Sequence, residues 1–297
     1  MTNTRCGFVA VVGRPNVGKS TLVNAVMGIK VSIVTAKPQT TRHRILAVYT
    51  TDDVQIVFVD TPGLHRKAGK AMNRMMNRTA ANALADADLV LFVSEAERWT
   101  DEDGDVMRRL QTVSAPVVAI LNKVDLVNPK EKLLAAISTM SERHEFADIL
   151  PVSAKKHDNL DALLSLIPEF LPESPQLFPP DMQTDRSIEF QAAEIIREKL
   201  TLSLHQEVPY GLTVQIERFE ADADRTTINA IIWVERDSQK GIVVGKGGSV
   251  LKRVGTAARR ELKQKLGRSV HLELWVKVKD NWADNEQDLV RLGYESP

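Results

Sequence analysis

Along the first half of the chain, short β-branched apolar runs alternate with segments whose apolar residues recur at helical spacing. Runs at 6–13, 45–50, 54–60, 88–94, 117–122 and 149–153 predict strands. The patterns between them predict helices near 19–28, 71–85, 101–111, 130–143 and 160–170. Such alternation is expected of an α/β fold with a mostly parallel sheet. The short "YTTDDVQI" between the second and third strands suits a hairpin, so one edge strand should be antiparallel.

The pattern breaks at 171–185, "LPESPQLFPPDMQTD", which is proline-rich and aperiodic and reads as a semi-rigid linker. Beyond it, Ile188, Ala192, Ile195, Ile196 and Leu200 share a helical face. Two strand-like runs follow, then a glycine stretch, a basic helix from about Ser249 to Leu266, and "VHLELWVKVK". In that last run Leu272, Leu274, Val276 and Val278 alternate with His271, Glu273, Trp275 and Lys277, a half-buried strand. The order is α-β-β-α-α-β. The expected domains are 1–170, a linker at 171–185, 186–280, and a tail at 281–297 that forms a capping helix.

Composition adds little to this picture. A length of 297 residues favours two domains, and 43% apolar with 26% charged residues is ordinary for a globular protein. Lys+Arg and Asp+Glu balance at 39 each, so net charge points to no partner, although an average hides local clusters. The one cysteine, Cys6, excludes an internal disulfide and multi-cysteine metal sites and suits a reducing cytosol. The start shows no secretory signal, and apolar runs such as "LVLFV" are too short to span a bilayer. The expectation is a soluble intracellular protein, with any membrane contact peripheral.

The chemistry begins at "GRPNVGKS", which fits G-x-x-x-x-G-K-[ST] directly after a strand and before a helix. The loop Gly13, Arg14, Pro15, Asn16, Val17 and Gly18, with Thr21 just inside the helix, would wrap phosphates in backbone N–H groups. Lys19 would reach the β- and γ-phosphates, and the Ser20 hydroxyl would ligate Mg²⁺. In "VFVDTPG", Asp60 ends a strand where a carboxylate joins the Mg²⁺ shell through water, and Gly63 can lend its N–H to the γ-phosphate. "LNKVD" selects the base. Asp125 can accept two hydrogen bonds from guanine, a donor pair that adenine lacks, while Asn122 and Lys123 brace the pocket. In "VSAK", the backbone of Ser153 and Ala154 would meet the guanine O6. These motifs stand in order at the C-terminal ends of strands, where open α/β sheets bind ligands. They predict a GTP-binding domain.

Catalysis should be slow. Leu64 follows "DTPG" where Ras-like GTPases place a water-orienting glutamine. "TAKPQTTRHR" is the expected switch I, with Thr41, or alternatively Thr40, closing over Mg²⁺. The resemblance to glutamine-lacking GTPases implies that Asn16 helps bind K⁺, which would stimulate hydrolysis.

"GRPNVGKSTL", "QTTRHRI", "DTPGLH", "NKVD" and "VSA", followed by "IIREKL", a GxxG loop and "HLELWVKVK", resemble the Era family of bacterial GTPases across residues 5 to 294. The resemblance implies a Ras-like P-loop domain followed by an α+β type II KH domain. It further implies binding to the 3′ end of small-subunit (16S) ribosomal RNA and assistance in maturing that subunit. The loop here reads Gly245-Lys246-Gly247-Gly248, with an extra glycine at its third position that should loosen it.

That loop lacks the Lys-Ser/Thr pair of a nucleotide site, and the sequence after it is basic. From Lys240 to Lys265 there are eight Lys/Arg, among them Lys252 and Arg253, against one acid, Glu261. A GxxG loop between two helices clamps about four nucleotides of backbone. Ile242, Val243 and Val244 are candidates for an apolar groove beneath the bases. The rival readings are a solvated helix face and a surface for anionic lipid, since the resembling family is also reported at the inner membrane face. The expected state is a monomer.

Overall fold

The structure, a computed structural model, describes residues 4–63, 70–204 and 208–294. The chain divides into two compact units, one running to Asp185 and the other taking Arg186 onward together with Lys70–Met72.

In the first unit the strands are β1 (Arg5–Val12), β2 (Ile45–Thr50), β3 (Val54–Asp60), β4 (Leu89–Glu95), β5 (Val117–Asn122) and β6 (Asp148–Pro151). The helices are α1 (Lys19–Met27), α2 (Ala71–Ala85), α3 (Asp101–Leu110), α4 (Lys132–Ser141) and α5 (Leu160–Leu166). The sheet order is β2-β3-β1-β4-β5-β6. β2 pairs antiparallel with β3, and the other pairings are parallel, as the hairpin and the alternation predict. Strand periodicity explains why both faces are apolar. Val9 and Val11 join one core with Leu22 and Val23 of α1 and Leu163 of α5. Ala10 and Val12 face the other way, onto Ala80 of α2 and Val106 and Leu110 of α3. α5 stops before Pro168, where a 3₁₀ turn replaces the expected helix to 170, because proline has no N–H for the ladder.

The proline-rich segment 171–185 differs from the expected spacer. It belongs to the first unit and lies along the sheet. Cys6 N–H donates to Pro172 O, Ser174 N–H to Thr4 O, and Val48 N–H to Gln183 O. The fully buried Gln55 accepts from Leu177 N–H (2.8 Å) and Phe178 N–H (2.9 Å) and donates to Phe178 O (2.9 Å). Proline denies the segment a regular element, and tertiary partners satisfy its backbone instead.

The second unit contains α6 (Ile188–Ser203), β7 (Leu212–Ala221), β8 (Arg225–Val234), α7 (Asp237–Val244), α8 (Ser249–Leu266), β9 (Ser269–Val278) and α9 (Glu286–Arg291). β8 pairs antiparallel with β7 and parallel with β9, so α7 and α8 form the crossover. Val254, Ala258 and Leu262, spaced four apart on α8, pack with Ile195, Ile196 and Leu200 of α6. The expected tail is part of this unit. Trp282 is fully buried and donates to Gly211 O, and the Tyr294 hydroxyl meets that of Thr213. No described helix is long and apolar enough to cross a membrane.

Candidate functional site

β1 ends at Val12, the glycine loop turns, and α1 begins at Lys19. Lys19 is buried, and its Nζ donates to Gly13 O (2.9 Å) and Arg14 O (3.0 Å), so it closes the loop on itself. Burial pulls its ammonium from 10.5 down to about 8, while Asp60 opposes the shift. Phosphates in the loop would favour the charged form.

The Ser20 hydroxyl lies 2.8 Å from that of Thr41. Thr40 turns elsewhere, to Thr35 Oγ1 (2.6 Å) and Lys37 O (2.7 Å). Of the two candidate threonines, Thr41 is therefore the one beside Ser20. Asp60 ends β3 fully buried, and neither carboxylate oxygen has a hydrogen-bond partner among the described residues. Burial pushes its pKa up, and the nearby Lys19 ammonium opposes the shift. A buried carboxylate without partners is costly unless a cation compensates. Ser20, Thr41 and Asp60 offer oxygen donors only, which suit Mg²⁺ shared with substrate phosphates. Bound there, Mg²⁺ would neutralise charge developing on the β- and γ-phosphate oxygens.

The base motif is built from fixed side chains. Asn122 is 2% exposed, donates through Nδ2 to Val17 O (2.8 Å), and accepts at Oδ1 from Ala154 N–H (3.1 Å). Lys123 Nζ donates to Asn16 O (2.8 Å) and Glu95 Oε1 (2.7 Å). The half-buried Asp125 accepts the Ser153 hydroxyl at 2.6 Å, which orients the carboxylate. The Ala154 N–H, expected to face guanine O6, donates here to Asn122, and the Ser153 N–H donates to Asp158 O (3.1 Å). Ser153 adds its hydroxyl to the pocket through Asp125.

The Arg14 side chain braces the loop whose backbone is expected to face the phosphates. Its buried guanidinium reaches Asp103 Oδ2 (2.9 Å) and Glu95 (3.1 Å), which ties the loop to α3 and the end of β4. Burial alone would raise the Glu95 pKa, yet Lys123 and Arg14 hold it below the usual carboxylate range. The motifs do not reveal this bracing network, because Glu95 and Asp103 stand in no phosphate motif. Over the phosphate loop opens a cleft of about 430 Å³. Pro15, Asn16, Gly18, Lys19, Ser20, Thr21, Thr41, Gly63 and Lys123 line it, joined by Thr35 and Lys155 from outside the motifs. Gly63 packs against Pro15, and Asn16 Nδ2 donates to Ala36 O (2.9 Å). Leu64 lies outside the described residues.

In the second unit, Gly245, Lys246, Gly247 and Gly248 join α7 to α8. Gly247 adopts φ 58 and faces open space, so the extra glycine serves a left-handed turn rather than merely loosening the loop. Lys246, Lys252 and Arg253 are exposed, and Lys252, Arg253 and Arg260 line an open groove of about 500 Å³ on α8. Glu261, the one acid of this stretch, is paired with Lys199 and leaves the outward charge positive. Val243 is a correction: it is fully buried in the core, while Ile242 is 50% exposed.

These two sites have close counterparts in known proteins. A family model described as 50S ribosome-binding GTPase matches residues 8–123, and a KH domain model matches residues 207–283. A GTPase Era of Coxiella burnetii is 49% identical over 295 residues, spanning 99% of this chain and 100% of that protein. The chain belongs to the Era family. It is a GTPase, with a Ras-like P-loop domain followed by a KH domain. Era of Pseudomonas fluorescens is 48% identical over 98% of this chain and 97% of its own. Two solved Era structures each share 39% identity with this Era-family chain at TM-score 0.95, covering 99% of it and 100% of themselves. One is Era in complex with MgGDPNP and nucleotides 1506–1542 of 16S ribosomal RNA, and the other is a variant of Aquifex aeolicus Era bound to GDP·AlF4⁻.

Proposed function

We propose that this GTPase uses Mg²⁺-GTP to control binding of its KH unit to the 3′ end of 16S ribosomal RNA, and so assists maturation of the small ribosomal subunit in the cytoplasm. The observation that carries the reading is the exposed Gly245–Gly248 loop opening onto the outward basic face of α8. The complex of Era with a 16S fragment supports it. With GTP bound, Thr41 and Gly63 close on the nucleotide and favour the RNA-binding state. Hydrolysis releases them and the RNA. The coupling is reciprocal, so RNA also tightens GTP.

The test is binding of a fluorescent RNA matching the 16S 3′ end, with a GTP analogue or GDP, across a salt series. GTP-favoured binding with a steep salt slope is expected. Lys246→Ala should weaken binding at every sequence and reduce the slope by about one. Equal affinity in both nucleotide states would refute the control. No affinity in either would leave the basic loop to a lipid or protein surface, which competition with anionic liposomes would show.

Hydrolysis should also be faster in KCl than in NaCl, because Asn16 sits at the cleft against the switch I backbone at Ala36. Equal steady-state rates in the two salts would remove K⁺ from the mechanism.

A further inference from the structure

β4 and β5 run parallel, and their last residues are register partners: Glu95 stands beside Asn122, and Ala96 N–H donates to Asn122 O (3.0 Å). The next residue, Lys123, has φ 65, a left-handed backbone that a side chain larger than glycine adopts only at a cost. From it the chain enters the 3₁₀ turn Val124–Leu126, which carries Asp125. Lys123 is tethered at the far end of its side chain. Nζ donates to Asn16 O (2.8 Å), itself a residue at φ 66, and to Glu95 Oε1 (2.7 Å). The same Glu95 oxygen lies 3.1 Å from Arg14 Nη2, whose guanidinium is fixed by Asp103. Two cations, one from the phosphate loop and one from the guanine motif, thus converge on a single oxygen of a half-buried carboxylate. Without its negative charge they would repel each other.

We propose that Glu95 is a positioning residue for guanine recognition: its shared oxygen tethers Lys123 and so fixes the turn that presents Asp125. The inference rests on the reading of Asp125 as the group that selects guanine. An amide at position 95 keeps the shape of the side chain but not its charge, so the two cations are left uncompensated and the tether loosens. A carboxylate that accepts two hydrogen bonds at once is sensitive to its orientation. Loosening the turn should therefore cost GDP, which offers two donors, more than inosine diphosphate (IDP), which lacks the exocyclic amine and offers one.

The test measures GDP and IDP affinities by displacement of fluorescent GDP from the full chain, from Glu95→Gln, from Lys123→Met and from the double variant. Glu95→Gln should lower GDP affinity about tenfold and IDP affinity less, so that the preference for GDP shrinks. Lys123→Met should shrink it too, and Glu95→Gln should add nothing in that background, because Glu95 acts through Lys123. Equal losses of GDP and IDP in Glu95→Gln overturn this inference alone, since Glu95 would then be structural. Losses of preference that add in the double variant overturn it as well. If Glu95→Gln does not fold, an unchanged preference in Lys123→Met overturns it. A parent that binds GDP and IDP equally overturns the Asp125 reading, and this inference with it.

Discussion

Asp125→Asn is expected to lower affinity for GTP and GDP by roughly 10³–10⁴-fold and to create affinity for xanthine nucleotides. Guanine presents two donors on this edge, N1–H and the exocyclic amine, and a carboxylate offers two acceptors. The Ser153 hydroxyl, 2.6 Å from Asp125 Oδ1, holds that carboxylate in one orientation. Asparagine keeps the shape but supplies one acceptor and one donor. Whichever way its amide turns, one of guanine's donors loses its partner in a half-closed site, and the negative charge is lost as well. Xanthine carries a carbonyl in place of the amine, so the asparagine amide matches it. The substitution touches no core packing, and melting should be unaffected. Titrations of wild type and variant with fluorescent GDP and XDP decide the matter. Guanine affinity retained within about tenfold would show that the base is selected elsewhere.

The parts of this site that could be read from sequence are those whose spacing the ligand imposes. Lys19, Ser20, Asp60, Asn122 and Asp125 must reach fixed points on one nucleotide, so their motifs recur at the ends of β1, β3 and β5. The residues that brace them obey no such spacing. Arg14 stands in the phosphate loop for its backbone, and nothing in the motif says that its side chain pairs with Asp103, far along the chain. Asn24 belongs to no motif, and its hydrogen bonds to Val31 and Ser32 emerge only when α1 and the chain after it lie side by side. The proline-rich segment 171–185 misleads for a related reason. Its lack of periodicity is real, but a buried glutamine in β3 supplies the hydrogen bonds that a helix or strand would have given it. In the second unit the strand order and the basic helix were legible. Val243 was not, because a short apolar run does not reveal which side chain turns inward.

Gly18→Ala should destabilise the protein by about 2–4 kcal/mol and weaken nucleotide binding about 100-fold. Gly18 caps α1 at φ 105, outside the range an L side chain adopts without strain. A Cβ there would also collide with Asn122 Nδ2. An exposed side chain would swing aside cheaply, but Asn122 is 2% exposed and tethered to Val17 O and Ala154 N–H. Moving it breaks both bonds, and with them the brace between the phosphate loop and the base pocket. Two causes therefore act together, backbone strain and a collision, and they can be separated. Asn122→Ala removes the collision and leaves the strain. If the collision dominates, Gly18→Ala should cost much less stability in the Asn122→Ala background than in the wild type, a coupling of about 1–2 kcal/mol in a double-mutant cycle. Additive losses would assign the whole effect to φ. Strong coupling would mean that Gly18 is a glycine because the phosphate loop and the guanine motif share one contact, so neither end of the nucleotide site can be altered without disturbing the other.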